Sequence, residues 1–214
     1  NLGELIFINH KNNIFNRTKN LRNLYLIKNK TNIGLTAGLN VAYSFLIRNQ
    51  YQQILRIDND FVVPRDYFQK ITSTLKKQDV VSASPKIMHA YLKKSVWFKG
   101  LKINWSYLKF QRTMNLKKKR FFDTQNLNKL VETDAISGCC SIYKVNILKK
   151  TGLGDEEFFY GPEDIELSHR LKKFGRLVCD QKIKTYHKIG RSSYIANKSD
   201  RIFQETYSFL TLIK

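Results

Sequence analysis

The sequence predicts an α/β fold, a mixed, mostly parallel central sheet flanked by helices. Three observations carry this. Apolar runs at residues 5–8, 24–27 and 54–57 are too short for helices and are bounded by polar or turn residues. Between such runs, apolar residues fall at helical spacing, as in Val41, Phe45 and Leu46, or Tyr67, Phe68, Ile71 and Leu75. No internal repeat or linker-like stretch interrupts the alternation, so 1–214 reads as a single domain with a basic insertion at about 86–130.

In chain order, residues 5–8 read as a strand and the Asn-rich residues 9–23 as a loop. Residues 24–27 form a second strand. A turn at 29–32 leads through Gly34 and Gly38 into a helix. The 54–57 strand ends in Asp58-Asn59-Asp60, and Pro64 is placed to open the next helix. Val80 and Val81 begin another strand. The stretch from Lys86 to Arg120 holds aromatic residues but little periodicity. Residues 137–145 are apolar and compact, and a short helix follows to Lys150. Pro162 opens a helix carrying Ile165, Leu167, Leu171 and Phe174, which Gly175 ends. Residues 177–179 and 185–187 are strand-like, and 200–213 looks helical and amphipathic.

Hydrophobic residues make up 42% of the chain, which excludes a disordered composition, and no stretch approaches the ~18 apolar residues of a membrane span. Cys139, Cys140 and Cys179 form no CxxC and no even framework, so they read as buried thiols of a reducing compartment. The formal net charge is +21, and no acidic residue lies between Asp79 and Asp123. That field attracts anions: nucleic acid, an anionic membrane surface or phosphorylated substrates. Compositional bias toward Lys and Asn is the plainer explanation.

Four clusters could carry chemistry. Asp58 and Asp60 stand at the carboxyl end of a buried strand, where open α/β sheets bind ligands, and paired carboxylates there suit a hard divalent cation touching phosphates. The plainer reading is an acidic turn. Asn32-Ile-Gly34-Leu-Thr-Ala-Gly38 is a turn entering a helix, offering N–H groups to a phosphate or serving as an ordinary turn and cap. Glu163-Asp164 sits at a helix start, as dipole complement or as a general base. His187 closes a strand-like run, where a neutral imidazole can complete a metal site.

The order and spacing of these clusters resemble the family 2 glycosyltransferases of the GT-A fold, particularly rhamnosyltransferase-like members that build cell-surface polysaccharide. The residues carrying the resemblance are Asn32-x-Gly34, Asp58-Asn59-Asp60 followed by Val62-Val63-Pro64, Trp97-x-x-Gly100 and Ser137-Gly138. The Gly152 to Phe159 segment, Glu163-Asp164, Arg170, Gly175 and a late His187 continue it. The family's first strand, loop and helix have no counterpart here, and Asn9-His-Lys-Asn-Asn13 stands where the family carries carboxylates. The resemblance thus implies an N-terminally truncated GT-A (Rossmann-like) nucleotide-diphospho-sugar transferase fold, either a fragment or a chain with altered donor binding.

The same resemblance implies an inverting, metal-dependent hexosyltransferase that moves a sugar from a nucleotide-diphosphate donor to a hydroxyl of a saccharide or lipid-linked acceptor. Asp60 and His187 would bind Mg2+ or Mn2+. Asp58 would contact the ribose or a metal-bound water. Asn32, Gly34 and Gly38 would shape the donor pocket, and Trp97 and Gly138 would serve the acceptor or stack on it. Asp164 would be the general base, with Glu163 as runner-up. The location implied is cytoplasmic, with peripheral contact to the anionic inner face of the membrane. A catalytically inactive relative and a basic nucleic-acid-binding module are the competing classes. The latter leaves Asp58, Asp60 and Asp164 unexplained.

Overall fold

The computed structural model describes residues 5–9, 24–92, 94–104, 109–112, 129–188, 203, 206–208 and 210–212. Two parallel strands come first, β1 (Leu5–Asn9) and β2 (Leu24–Lys28), paired with each other. Seven further strands build one larger sheet among the described residues. Its strands are β3 (Gln53–Ile57), β4 (Phe61–Val62), β5 (Val80–His89), β6 (Val96–Phe98), β9 (Leu130–Glu132), β10 (Cys140–Lys144) and β11 (Arg176–His187). Along its main path the order is β3-β10-β5-β11-β4, with β6 beside β5 and β9 beside β11. A separate hairpin pairs β7 (Leu101–Asn104) with β8 (Lys109–Arg112). Of the expected basic insertion, residues 93, 105–108 and 113–128 lie outside the described part of the chain.

The sheet is mixed. β5 and β11 are parallel, while β10 runs antiparallel to both β3 and β5. So β3, β5 and β11 all point the same way, and their carboxyl ends lie on one rim. The amino end of the reversed strand β10 lies on that rim as well. This places the turn after β3, the end of β11 and the residues before β10 side by side.

Helices cover both faces, as the alternation of elements predicts. β5 is buried along nearly its whole length, the pattern of a central strand covered on both sides. On one face α2 (Tyr67–Leu75) packs Tyr67, Ile71 and Leu75 against Val80, Ala83, Ile87, Ile142 and Val178. Ile71 and Leu75 are wholly buried, each contributing about 1.5–3 kcal/mol by leaving water. On the other face α1 (Leu35–Arg48), α3 (Val145–Thr151) and α4 (Glu163–Leu171) close over Tyr43, Ile54, Val81, Tyr143, Leu148, Leu167 and Leu177.

Three local outcomes differ from the pattern reading. The two strand-like runs near the C-terminus are one strand, β11, with an irregularity between Asp180 and Lys184 that interrupts the period-2 signal. The two-residue strand β4 gives no periodicity to read. The helix expected to run through Phe174 ends at Leu171 and tightens into a 3-10 turn over Lys172–Phe174. Gly175 then turns the chain with φ +155°, and a Cβ there would lie 2.6 Å from the Asp79 carbonyl oxygen.

Candidate active site

The rim carrying the three parallel carboxyl ends gathers the predicted polar residues into two adjoining groups. The first forms where β3 and β11 end. Asp60, 8% exposed, faces His187, with Oδ2 3.2 Å from Nε2. The backbone locks this pairing: Lys188 N–H donates to the Asp60 carbonyl at 2.9 Å, and β4 pairs His187 with Phe61. Aromatic rings wall the imidazole. Phe61 stacks on it at 4.5 Å, and Trp97 meets it edge-on at 4.9 Å. His187 Nδ1 is buried without a hydrogen-bond partner among the described residues. Such orphaned polar atoms are uncommon in finished protein interiors.

The second group forms around Arg56. Its alternation on β3 turns this side chain inward, and it is 8% exposed. Nε lies 3.4 Å from Asp58 Oδ1, while Nη1 and Nη2 lie 3.4 and 3.5 Å from Glu163 Oε1. Glu163 is buried at the start of α4. Its neighbour Asp164 instead accepts the Gly138 N–H at 2.9 Å, in the turn before β10. A Cβ at Gly138 would fall 2.8 Å from Arg56 Nη1 and 3.0 Å from Asp164 Cβ, so only glycine lets these side chains pass. Asp58 N–H donates to the Cys139 carbonyl, tying the two turns together.

Burial decides the electrostatics. Asp164 is pushed up from the usual carboxylate range to about 6, first by burial and then by the adjacent Glu163, with Gly138 and Arg56 opposing. Asp58 is also raised by burial against the pull of Arg56. The helix dipole alone would favour ionised Asp164; desolvation overrides it here. Near pH 7 such a group is mostly ionised yet able to hold a proton, the range a general base needs.

The Gly-bearing turn sits elsewhere in this arrangement. Asn32 Oδ1 accepts the Gly34 N–H at 3.1 Å, and Leu35 N–H donates to the Phe159 carbonyl at 2.8 Å. Gly34 has φ +86°, and a Cβ there would lie 2.7 Å from the Phe159 ring. Thr36 Oγ1 donates to the Phe158 carbonyl, and Asn40 exchanges two hydrogen bonds with Gly154. Gly38 is buried inside α1. The start of α1 therefore seats the 152–160 loop that leads into Glu163, and the N–H groups of residues 34 and 35 are engaged within the chain. Arg170 braces the loop's other end, donating to the Thr151 and Leu153 carbonyls at 2.8 Å.

Among the described residues no three His, Cys, Asp or Glu side chains converge as a complete metal cage. The Asp60–His187 pair supplies one carboxylate oxygen and one imidazole nitrogen. That fits a cation completed by phosphate oxygens and water rather than a closed structural site.

Sequence reasoning brought forward Asp58, Asp60, Glu163, Asp164, His187, Trp97 and Gly138, and all seven lie on this rim. It missed Arg56, hidden in a strand read as apolar, and Phe61. An arginine two residues before paired acids in an otherwise apolar strand was the available signal.

No protein-family model matches the chain, and no curated protein matches it in sequence. Solved structures do. GalNAc-T7 with UDP, GalNAc and Mn2+ superposes over 99% of this chain with a TM-score of 0.70 at 13% identity. The chain has the GT-A glycosyltransferase fold. A mannosyltransferase from Pyrobaculum calidifontis with GDP-Man and Mn2+ matches over 89% of the chain, with a TM-score of 0.55 and 16% identity. TarS residues 1–349 from S. aureus match over 86%, with a TM-score of 0.55 and 16% identity. The matched region is 41%, 46% and 50% of those three chains, so this GT-A unit spans about half of each or less.

Proposed function

We propose that the chain belongs to an inverting glycosyltransferase that moves a sugar from a nucleotide-diphosphate donor to an acceptor hydroxyl. The observation supporting this best is the juxtaposition, on one rim of a GT-A sheet, of the Asp60–His187 pair and the Asp164 carboxylate. One end suits a leaving diphosphate with its cation. The other suits the acceptor.

Asp60 and His187 would hold a divalent cation. The imidazole nitrogen favours Mn2+ over the harder Mg2+. When bound, that cation neutralises charge on the departing diphosphate. Asp58, two residues away, would contact the donor ribose or a metal-bound water. Phe61 and Trp97 hold the imidazole ring in place, and Trp97, half-buried, offers its remaining face to a sugar. Gly34, Thr36 and Asn40 act on the donor through the loop that they seat, Asn32 holds the Gly34 N–H, and Gly38 lies inside α1 away from that contact. Asp164 takes the proton from the acceptor hydroxyl as its oxygen attacks the anomeric carbon opposite the diphosphate, which inverts that centre.

The acceptor in this reading is a saccharide or lipid-linked saccharide of a cell-surface polysaccharide, reached at the cytoplasmic membrane face. The basic stretch 93–120 supports it, at ~1 kcal/mol per basic residue near an anionic leaflet. Flotation with phosphatidylglycerol vesicles, lost at high salt, would support peripheral attachment; binding insensitive to salt would remove it.

The deciding experiment incubates the full-length protein with UDP- and GDP-sugars and Mn2+, and follows nucleotide release and the anomeric configuration of product by NMR. Inverted product with release that depends on Asp164 and Asp60 is expected. Retention of configuration, or no release with any donor, overturns the reading.

A further inference from the structure

The two adjacent acids at the start of α4 are chemically alike, and the sequence leaves either of them as the base. Their surroundings separate them. Glu163 Oε1 faces two nitrogens of the Arg56 guanidinium, at 3.4 and 3.5 Å. Asp164 Oδ2 takes its hydrogen bond from a neutral donor, the Gly138 N–H, at 2.9 Å. A carboxylate facing a buried guanidinium is tied to it, because separating the two would leave the cation buried and unpaired. A carboxylate held by a neutral amide keeps the freedom to gain and lose a proton.

Arg56 also reaches the other way. Its Nε lies 3.4 Å from Asp58 Oδ1, on the turn that ends in Asp60. One planar fork therefore spans the β3 turn and the α4 start, the two elements on which donor and acceptor chemistry would rest. Gly138 gives it room: the guanidinium runs where a Cβ at that position would be. The other groups around Asp164 do not compete for its proton. Burial pushes the Cys139 thiol up, and it raises the Tyr143 hydroxyl well above its ordinary range, so both stay neutral. The Ile165 N–H adds a second neutral donor.

We infer that Arg56 is a positioning residue: it clamps Glu163 to the Asp58 turn and so leaves the exchangeable proton of the acidic pair to Asp164. The inference rests on the glycosyltransferase reading for its consequence in catalysis, but the clamp itself is measurable without donor or acceptor.

The test titrates the full-length protein labelled with 13C at Asp carboxyls, with the Asp164 resonance identified by its loss in Asp164→Asn. Arg56→Gln should raise the Asp164 midpoint by roughly one pH unit or more, as expected on removing a nearby cation. Arg56→Lys keeps the charge but loses the fork, and should restore part of that shift. Glu163→Gln leaves Arg56 intact, removes the neighbouring charge and should lower the midpoint. If Arg56→Gln does not fold, the Arg56→Lys and Glu163→Gln arms decide alone. An Asp164 midpoint unmoved by Arg56→Lys and Glu163→Gln overturns the clamp. In the transfer assay the acid limb of the pH profile should follow the same shifts. Shifted midpoints with no transfer by any form would sink the function and keep the clamp; transfer with unmoved midpoints would do the reverse.

Discussion

At the Asp60–His187 end of the rim, two polar groups face each other inside aromatic walls, and the far ring nitrogen of His187 has no partner among the described residues. At the Asp164 end, each carboxylate is met from within the chain: Asp58 and Glu163 by Arg56, Asp164 by Gly138. The first end is a socket that leaves a buried ring nitrogen over. The second is a network that sets one guanidinium among three acids, each carboxylate with a partner of its own. The contrast predicts how each responds to change. Substitutions in the socket should alter ligand affinity with little effect on folding. Substitutions in the network should alter protonation and stability as well as turnover.

The largest effect expected is on transfer. Asp164→Asn keeps an oxygen for the Gly138 N–H but cannot take a proton, so turnover should fall ~10²–10⁴-fold. Nucleotide affinity, read by calorimetry, should stay unchanged, since Asp164 belongs to the acceptor side. If Glu163→Gln is inactive and Asp164→Asn active, the roles within the network are reversed, and the Arg56 clamp holds the wrong partner.

Asp60→Asn attacks the socket. Metal-dependent enhancement of UDP or GDP binding should disappear, while stability in urea changes by less than about 1 kcal/mol, because the residue lies in a turn and Asn can still meet His187. Equal Mn2+ enhancement in the variant and the parent would dissolve the contrast from the ligand side. Unfolding of the variant would dissolve it from the stability side.

Gly138→Ala attacks the network without removing any charge. The new Cβ would fall 2.8 Å from Arg56 Nη1 and 3.0 Å from Asp164 Cβ, and both side chains are held in place by their partners. Overpacking of this kind costs about 1–3 kcal/mol, measurable by urea denaturation. A neutral result would mean that Arg56 is mobile.

The two ends also differ in how legible they were. Asp58-Asn59-Asp60, Glu163-Asp164 and His187 could be read because turns and helix starts expose short, ordered motifs in the chain. The alternation of strands and helices likewise gave the layers. Arg56 could be flagged by its place in an apolar strand but its role could not be read, because that depends on Glu163, 107 positions away. Burial of one charged residue in an apolar strand says only that a partner exists. The seat made by Thr36 and Asn40 for the 152–160 loop was hidden for the same reason, and so the turn at Gly34 suggested a phosphate cradle from its local pattern alone. β10 entered the sheet antiparallel between two parallel strands, which hydrophobic periodicity does not encode.

The smallest effect depends on pH and tests whether the network is strained by its own acid. Asp164 sits at about 6 in the folded chain, against an ordinary value of 3.8. The folded state therefore binds more protons than the unfolded chain between those values, and stability falls as pH rises through that window. Below it, Asp164 is protonated in both states and costs nothing. Above it, the buried carboxylate is ionised and the whole penalty is present. Asn at this position does not titrate. The stability gained by Asp164→Asn should thus grow from about pH 4 to about pH 7 by roughly 2 kcal/mol. Urea denaturation of both proteins at the two pH values measures it. A gain that grows would show an acid kept for chemistry at the expense of the fold. A constant difference would mean that Arg56 and Gly138 fully offset the burial of Asp164, and the network end would then be as relaxed in its charged form as the socket is without its ligand.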